Sequence, residues 1–268
     1  MESNDFLSRI IERKRERLAE ARAARSPEDV RREAFAARAG ARRHALRGAL
    51  EDAGRVNVIA EFKRASPSKG EIRVGASAAE TARAYERGGA AAVSVLTEED
   101  YFRGSLRDLA EVKAATRLPV LRKDFVFDEY QVFESAAAGA DALLLIIAAL
   151  DDATLAALLR LTENELELDA LVEVHTAEEL GRAARAGAHI VGVNNRDLRT
   201  FEVSLETSVG LAAQAPAGTL LVSESGIGNA ADVERLRACG FKAFLVGETL
   251  MRAESPEAAL RSLTGAGF

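Results

Sequence analysis

Eight short apolar runs recur along the chain from residue 57 onward, and alanine-rich stretches with helical spacing separate them. The runs are continuous rather than alternating in polarity, which is typical of parallel strands buried on both faces. Eight strand and helix units in a chain of 268 residues predict an α/β fold, the (β/α)8 or TIM barrel, which needs about 250 residues. The strand candidates are residues 58–62, 92–96, 119–121, 142–147, 170–174, 190–193, 220–222 and 243–246.

The first part of the chain departs from this pattern, because apolar residues there have helical spacing among many Arg and Glu residues. We expect two or three helices and no strand in it. The sequence therefore predicts an N-terminal helical extension, residues 1–53, packed on a catalytic barrel, residues 54–268, with one domain overall. A doubly wound parallel sheet is the alternative architecture, but no G-x-G-x-x-G motif follows the first strand.

Charge and composition exclude several classes of function. The net charge of −6 argues against nucleic acid as the main partner, because phosphate neutralisation dominates such binding. The longest strongly apolar stretch, residues 142–150, is far shorter than the ~20 residues that span a membrane. No signal-peptide pattern opens the chain, and its single cysteine fits a reducing compartment. We therefore expect a cytoplasmic protein that acts on a small molecule.

Ionisable side chains cluster where the predicted strands end, which is the catalytic face of such a barrel. Glu61 and Lys63 end the first strand, Lys123 follows the third, and Glu173 ends the fifth. All four should point toward one mouth of the barrel, where burial makes an unpaired charge costly. They form either a structural ion-pair network or a general acid and general base whose pKa values depend on each other. The residues alone do not decide between the two.

Lysine is scarce in this chain, since 6 of its 36 basic residues are lysine and the rest are arginine. Arginine does not release its proton in proteins, whereas lysine can be tuned to do so. The two lysines at the strand ends, Lys63 and Lys123, are therefore candidates for proton transfer.

Glycine-rich turns follow the last two predicted strands, at residues 225–228 and 247–249. Glycines let backbone N–H groups approach an anion, and this pair of loops is a common phosphate site in barrels. We expect a phosphate there, with the side chain of Glu248 pointing away from it. No His, Cys, Asp or Glu grouping has metal-ligand spacing, so we predict no metal and no cofactor. For His175 we expect either a structural role or contact with a catalytic residue rather than with the substrate.

The motifs at the strand ends occur in a definite order. They are IAEFKRASPSKG at 59–70, SVLTE at 94–98, YFRG at 101–104, LRKDF at 121–125, LVEVH at 171–175, GVNNRDL at 192–198, SESGI at 223–227 and LVG at 245–247. In content and order they resemble the indole-3-glycerol-phosphate synthase family of tryptophan biosynthesis, and the element E-F-K-x-x-S-P-S is the most specific of them. The charged helical extension is also similar to that family's, which lies beside the active-site mouth.

The resemblance implies a carboxy-lyase that closes the indole ring of 1-(2-carboxyphenylamino)-1-deoxyribulose 5-phosphate with loss of CO2 and water. It implies that Lys123 is the general acid that protonates the developing alkoxide and that Glu173 is the general base of the later dehydration. Lys63 matches a mobile lysine that handles the anionic substrate and shares in proton transfer. Glu61 and Asn194 match residues that orient the substrate and the catalytic lysines.

The resemblance also implies the substrate-binding positions. Arg196 matches a residue at the anthranilate end, and Glu224 and Ser225 match further substrate-site positions. The apolar wall around the aryl ring is expected from Phe102, Phe125 and Leu145. The phosphate-binding positions are Ser66, Gly226, Gly247 and Glu248. At the last of these the family usually has a small residue, so we expect a backbone rather than a side-chain contact.

Two other functions remain alternatives for a phosphate-binding barrel. A phosphoribosylanthranilate isomerase would need an acid–base Cys/Asp pair and would not need the E-F-K-x-x-S-P-S element. A non-catalytic ligand-binding barrel would have no reason to fill every acid–base position. Association with other enzymes of the tryptophan pathway is left open by the resemblance.

Overall fold

A closed barrel of eight parallel strands forms the centre of residues 6–265, which are the residues that the computed structural model describes. The barrel strands are β1 (Asn57–Phe62), β4 (Ala92–Leu96), β5 (Val120–Lys123), β6 (Ala142–Ile146), β7 (Asp169–Val174), β8 (Ile190–Asn194), β9 (Leu220–Glu224) and β10 (Ala243–Val246). Sequence neighbours pair along the barrel, and β10 closes it onto β1. Between β1 and β4 in the chain, β2 (Ala65–Ser66) and β3 (Gly70–Glu71) form a short antiparallel hairpin. The predicted fold is confirmed.

Helices alternate with the barrel strands as the sequence predicts. After the extension they are α4 (Ala78–Arg87), α5 (Leu106–Ala115), α6 (Glu129–Ala137), α7 (Asp152–Leu159), α8 (Ala177–Ala186), α9 (Glu206–Ala212), α10 (Ala230–Ala238), α11 (Glu248–Arg252) and α12 (Pro256–Thr264). Side-chain caps begin many of them: Ser77, Ser105 and Thr176 each accept a hydrogen bond from the backbone N–H three residues later. A membrane span requires a long apolar helix, and the described part of the chain contains none.

The extension consists of α1 (Phe6–Ala24), α2 (Pro27–Arg38) and α3 (Ala45–Leu50) in the described residues. It packs on the barrel, since Val30 of α2 and Leu18 of α1 share an apolar cluster with Tyr130 of α6. The hydroxyl of Tyr130 donates to the carbonyl of Ala21 at 3.0 Å. Of the predicted ranges 1–53 and 54–268, the first five and the last three residues lie outside the described part.

Side chains of alternate barrel strands fill the interior in layers. One buried apolar layer comes from β1, β5, β7 and β9 and consists of Ile59, Leu121, Leu171 and Val222. Residues two positions apart on a strand face the same side. The next inward residues on these four strands are therefore the charged side chains Glu61, Lys123, Glu173 and Glu224. The fold stacks a charged layer on an apolar one at the carboxyl ends of the strands.

The third barrel strand differs from its prediction. The sequence predicts residues 119–121, whereas β5 runs to Lys123. The ladder continues because Leu96 of β4 pairs with Lys123 and because the side chain of Arg122 is buried among polar groups that satisfy it. The extra length makes Lys123 part of a strand, with its direction set by the sheet.

Candidate active site

Four charged side chains converge at the mouth of the barrel. Glu61, Glu173 and Glu224 are each no more than 4 % exposed, although carboxylates are rarely buried without partners. Lys123 is the partner of two of them. Its Nζ lies 2.7 Å from Oε2 of Glu173 and 2.9 Å from Oε2 of Glu224. One ammonium thus connects three strands that are not neighbours in the sheet.

The charges of this cluster fix its protonation states. Burial works to lower the pKa of Lys123, but the carboxylates of Glu173, Glu224 and Glu61 outweigh it and hold that pKa above its ordinary value. Burial works to raise the pKa of Glu173, and the nearby Lys123 ammonium outweighs it in the same way, so that this pKa is lowered. At neutral pH, Lys123 is therefore protonated and Glu173 is ionised.

Glu224 is a carboxyl group of this layer whose pKa is strongly raised. Burial and the Glu173 charge raise its pKa to about 7 against the attraction of Lys123. Its Oε1 accepts no hydrogen bond from the described residues. Gly192 of β8 leaves the space for this oxygen, because a Cβ there would overlap it.

Lys63 lies just past the end of β1 and forms the second ion pair of the mouth. Its Nζ is 2.7 Å from Oε1 of Glu61. Gly247, which follows β10, makes room for the same carboxylate, because a Cβ on Gly247 would overlap Oε1. The mouth therefore holds two lysines, each against at least one buried carboxylate.

The second oxygen of Glu173 is held separately from the one that contacts Lys123. Asn194 donates its Nδ2 to Oε1 of Glu173 at 3.1 Å. The backbone N–H of Arg196 in turn donates to Oδ1 of Asn194 at 3.0 Å, which orients the amide. His175 also faces this oxygen, with Nε2 at 3.5 Å from Oε1. The guanidinium of Arg196 donates to the carbonyl of Phe201 at 3.1 Å.

A cavity of about 820 Å³ lies over the charged layer, within the roughly 300–1,000 Å³ typical of small-molecule sites. The structure brings the predicted site residues together around it with a single exception. Those that line the cavity are Glu61, Lys63, Ser66, Phe102, Lys123, Phe125, Glu173, Asn194, Arg196, Glu224, Ser225, Gly226, Gly247 and Glu248. The exception is Leu145.

Leu145 does not face the cavity, so its prediction as part of the aryl wall was wrong. Its side chain is fully buried in the core between the sheet and the helices. The flanking residues Leu144 and Ile146 line the cavity instead. Successive side chains of a strand point to opposite faces, so a shift of one residue exchanges the two sides of the sheet.

Aromatic rings form one wall of the cavity. Phe102 and Phe125 have ring centroids 6.3 Å apart. Sequence reasoning missed a second contribution, from the extension: Phe6 of α1 lines the cavity and packs edge-on against Phe201, with centroids 5.2 Å apart. The helical spacing could have indicated this contribution, because Phe6 shares an apolar face of α1 with Ile10, which also lines the cavity.

The loops after β9 and β10 form a glycine-rich part of the cavity lining that carries side chains of both charges. Ser225 and Gly226 have φ values of +67° and +82°, and a Cβ on Gly226 would lie 2.6 Å from the Val203 side chain. Glu248, the first residue of α11, accepts a hydrogen bond from Nε of Arg252 at 3.1 Å. Its Oε1 is also 3.8 Å from Nζ of Lys69. The Glu248 carboxylate is therefore paired with Arg252 and Lys69, two cations that could otherwise hold an anion here.

Sequence reasoning also missed a buried ion pair that fastens α1 beneath this site. Nζ of Lys14 is 3.0 Å from Oδ1 of Asp124, which follows Lys123 directly. Oδ2 of Asp124 accepts hydrogen bonds from Thr97 at 2.6 Å and Arg122 at 2.9 Å. The sequence could have indicated this burial, because Lys14 lies four residues after Ile10 and therefore on the same, buried face of α1.

Three consecutive carboxylates outside the cavity, Glu98, Glu99 and Asp100, approach one another closely enough to hold a cation. Hydrogen bonds within the loop account for this arrangement. Glu98 accepts the backbone N–H groups of residues 100–102, and Asp100 pairs with Arg17 of α1 at 2.8 Å. We therefore assign these three carboxylates a structural role in the loop rather than a role as metal ligands.

Residues 7–263 match the family model described as indole-3-glycerol phosphate synthase. The chain belongs to this family. The indole-3-glycerol phosphate synthase of Leptothrix cholodnii is 49 % identical to it over 260 residues, which cover 97 % of this chain and 99 % of that protein. The indole-3-glycerol phosphate synthase of a Polaromonas species is 48 % identical over 264 residues, covering 98 % and 99 %.

More distant solved structures share the fold of the indole-3-glycerol phosphate synthase family. A thiamine phosphate pyrophosphorylase from Pyrococcus furiosus superposes with a TM-score of 0.59 at 18 % identity, covering 78 % of this chain and 93 % of that one. An N-acetylmannosamine-6-phosphate 2-epimerase from Clostridium perfringens gives a TM-score of 0.57 at 16 % identity, covering 73 % and 87 %. At these identities the likeness extends to the barrel alone.

Membership of the indole-3-glycerol phosphate synthase family establishes the activity. The chain is a carboxy-lyase of tryptophan biosynthesis. It closes the indole ring of 1-(2-carboxyphenylamino)-1-deoxyribulose 5-phosphate with loss of CO2 and water. Its substrate is a small phosphorylated molecule, and the isomerase and the non-catalytic barrel are set aside.

Proposed function

We propose that Lys123 is the general acid of ring closure. The observation that carries this proposal is its ammonium group, which contacts Glu173 and Glu224 at the floor of the cavity. When the ring carbon attacks the ketone, the ketone oxygen becomes an alkoxide that needs a proton. The raised pKa keeps Lys123 protonated until that point. An alkoxide is more basic than an amine, so the transfer runs toward the substrate.

Glu173 is the general base of the dehydration that follows. Loss of water requires departure of the new hydroxyl group and removal of a proton from the adjacent carbon. Glu173 is ionised, and Asn194 holds its Oε1 apart from the oxygen that contacts Lys123. Lys63, on the far side of the mouth and paired with Glu61, helps to handle the anionic substrate and shares in proton transfer.

The substrate lies with its aryl ring and its phosphate at opposite ends of the cavity. Phe102 and Phe125 hold the ring, and Arg196 lies at the anthranilate end. Glu224 and Ser225 contact the substrate between the two ends. The phosphate contacts Ser66, Gly226, Gly247 and Glu248. At Glu248 the contact is made by the backbone, because the carboxylate is paired with Arg252.

The general-acid role is tested by Lys123→Arg, which keeps the charge and removes a usable proton. We expect kcat to fall by about 100-fold or more, the typical contribution of general acid catalysis. Formation of the fluorescent indole product measures the rate, and the thermal melt followed by circular dichroism checks the fold. A wild-type kcat in this variant would show that another group supplies the proton.

The matched control is Lys113→Arg. Lys113 also pairs with a buried carboxylate, that of Asp141, but Asp141 lies at the amino end of β6, away from the cavity. This variant should keep the wild-type kcat.

The phosphate site is tested with a substrate analogue that lacks the phosphate. Charge-assisted hydrogen bonds are worth about 1.5–3 kcal/mol each, so the loss of a few should weaken binding by roughly 100-fold or more. Isothermal titration of the analogue and of the complete substrate against Lys123→Arg protein, in which turnover is slowed, compares the two affinities. Equal affinity for the analogue and the complete substrate would show that the phosphate does not bind at the proposed site.

We further propose that residues 1–53 and 54–268 act as one domain in the cytoplasm, without a nucleic-acid partner. The buried Lys14–Asp124 pair supports the single domain, because it joins the extension to the residue after Lys123. Association with other tryptophan-pathway enzymes is tested by gel filtration of equimolar mixtures. A shared elution peak would support the association, and separate peaks would count against it.

A further inference from the structure

An imidazole with 14 % of its side chain exposed lies beside the proposed base and has no part in the chemistry above. Nε2 of His175 is 3.5 Å from Oε1 of Glu173, and no hydrogen bond reaches Nε2 from the described residues. On the other side of the ring, Nδ1 is 3.4 Å from Oε2 of Glu179. The imidazole therefore stands between a carboxylate at the rim of the barrel and one in the charged layer.

The local structure holds His175 in this place. Glu173 and His175 are two residues apart at the end of β7, so both side chains leave the strand on the same side. Thr176 then caps α8. This turn brings Glu179, in the first turn of α8, back to His175, where its carboxylate also accepts the His175 backbone N–H at 2.6 Å. Strand, cap and helix together orient the ring.

We propose that His175, held by Glu179, is a positioning residue that keeps the Glu173 carboxylate ionised and oriented for proton acceptance. The inference rests on the proposed role of Glu173 as the base. The charged groups that face the ring are Glu173 on its own strand, Glu179 on α8 and Glu224 on β9. Lys123 approaches Glu173 on its other oxygen. An imidazolium here lies among three carboxylates, and its positive charge stabilises the ionised form of Glu173.

The electrostatic direction agrees with this geometry. Burial works to lower the pKa of His175, but contacts with Glu179 and Glu173 outweigh it, and the pKa is raised. The imidazolium in turn acts with Lys123 to lower the pKa of Glu173. Loss of the imidazolium therefore makes Glu173 protonate at a higher pH.

The pH profile of kcat tests the inference through His175→Gln, which retains a hydrogen-bond donor without the charge. We expect its acid limb to move upward by about one pH unit, the smaller end of the effect of a nearby opposite charge. A purely structural histidine would lower kcat at every pH and leave the limb in place. An unmoved limb would overturn the inference.

Two further variants serve as comparisons. Glu179→Gln removes the carboxylate that supports the imidazolium, and its acid limb should move upward by less than that of His175→Gln. His189→Gln is the matched control, because His189 also pairs with a glutamate, Glu163, at 2.9 Å but is largely exposed and does not line the cavity. Its limb should coincide with that of the wild type, and an equal shift there would count against the inference.

Histidine NMR titration provides a readout without catalysis, which also decides the matter if His175→Gln does not fold. The chain has three histidines. The His175 midpoint should fall in Glu173→Gln and in Glu179→Gln, while that of His189 stays in place. An unmoved His175 midpoint in Glu173→Gln would overturn the inference.

The kinetics of Glu173→Gln separate the two proposals. Full activity in that variant would refute Glu173 as the base. Loss of activity there, combined with an unmoved limb in His175→Gln, would retain the base and overturn the role of His175.

Discussion

Gly192 leaves the space that the Glu224 carboxylate occupies, and an added methyl group would also lie 3.2 Å from Cδ1 of Leu171. In Gly192→Ala we expect the carboxylate to be displaced from Lys123. Because a misplacement of ~1 Å in an active site can cost about 100-fold, kcat should fall by roughly that factor. Indole fluorescence measures it. The matched control is Gly210→Ala in α9, where a Cβ meets nothing within 4 Å and kcat should be unchanged.

The titration of Glu224 makes stability depend on pH. Its pKa is raised from 4.5 to about 7 in the folded chain, chiefly by burial. The folded state therefore binds this proton more tightly than the unfolded state, so the stabilisation is complete below pH 4.5 and is lost as the pH rises toward 7.

Replacement of this carboxyl group by an amide removes that dependence. Relative to the wild type, Glu224→Gln should gain up to about 3 kcal/mol in free energy of unfolding between pH 4.5 and pH 8. Urea unfolding of both proteins at the two pH values measures the gain. A constant difference between the two proteins would contradict the raised pKa.

At the scale of elements, α1 depends on a single buried charge. Lys14→Met leaves Asp124 without one of its two cations, and removal of one member of a buried ion pair typically costs about 3–5 kcal/mol. We expect that loss in urea unfolding, together with a raised KM, since Phe6 and Ile10 of the same helix line the cavity. Arg17→Met on the exposed face of α1 is the control and should change both quantities far less, because water screens its pair with Asp100.

The sequence predicted the strands because their runs are continuous and glycine turns separate them. It placed Lys123 and Glu173 correctly at one face because both end buried runs. The same continuity hid the orientation of Leu145: residues 143–145 are all leucine, so no change of polarity marks which of them points inward. Lys14 was missed because its partner lies 110 residues away, and no local pattern records such a contact.

Across the whole molecule, the carboxyl ends of the strands carry the chemistry, whereas the amino ends contribute to stability alone. Asn57, the first residue of β1, lies at the seam where β10 closes the barrel. Its buried Nδ2 donates to the carbonyls of Leu50 at 2.8 Å and Asp52 at 2.9 Å, and it approaches that of Lys242 at 3.3 Å. The extension, the first strand and the last strand meet at this one amide.

Asn57→Ala should therefore separate stability from activity. It leaves buried carbonyls without a donor, which costs about 1–3 kcal/mol in free energy of unfolding. The kcat and KM of the folded fraction should match those of the wild type, because Asn57 does not line the cavity. A lowered kcat in fully folded protein would contradict this division between the two ends.

The Lys14–Asp124 pair has a consequence for synthesis of the chain. The extension leaves the ribosome first, yet the residues that hold α1 come much later: Asp100 lies 83 residues after Arg17, and Asp128 lies 106 residues after Arg22. Until about half of the protein has emerged, Lys14 has no buried carboxylate to join. The helix that helps to wall the cavity is thus translated well before its partners. Asp100, Asp124 and Asp128 all precede β10 in the chain, so this wall of the cavity can dock before the last strand closes the barrel.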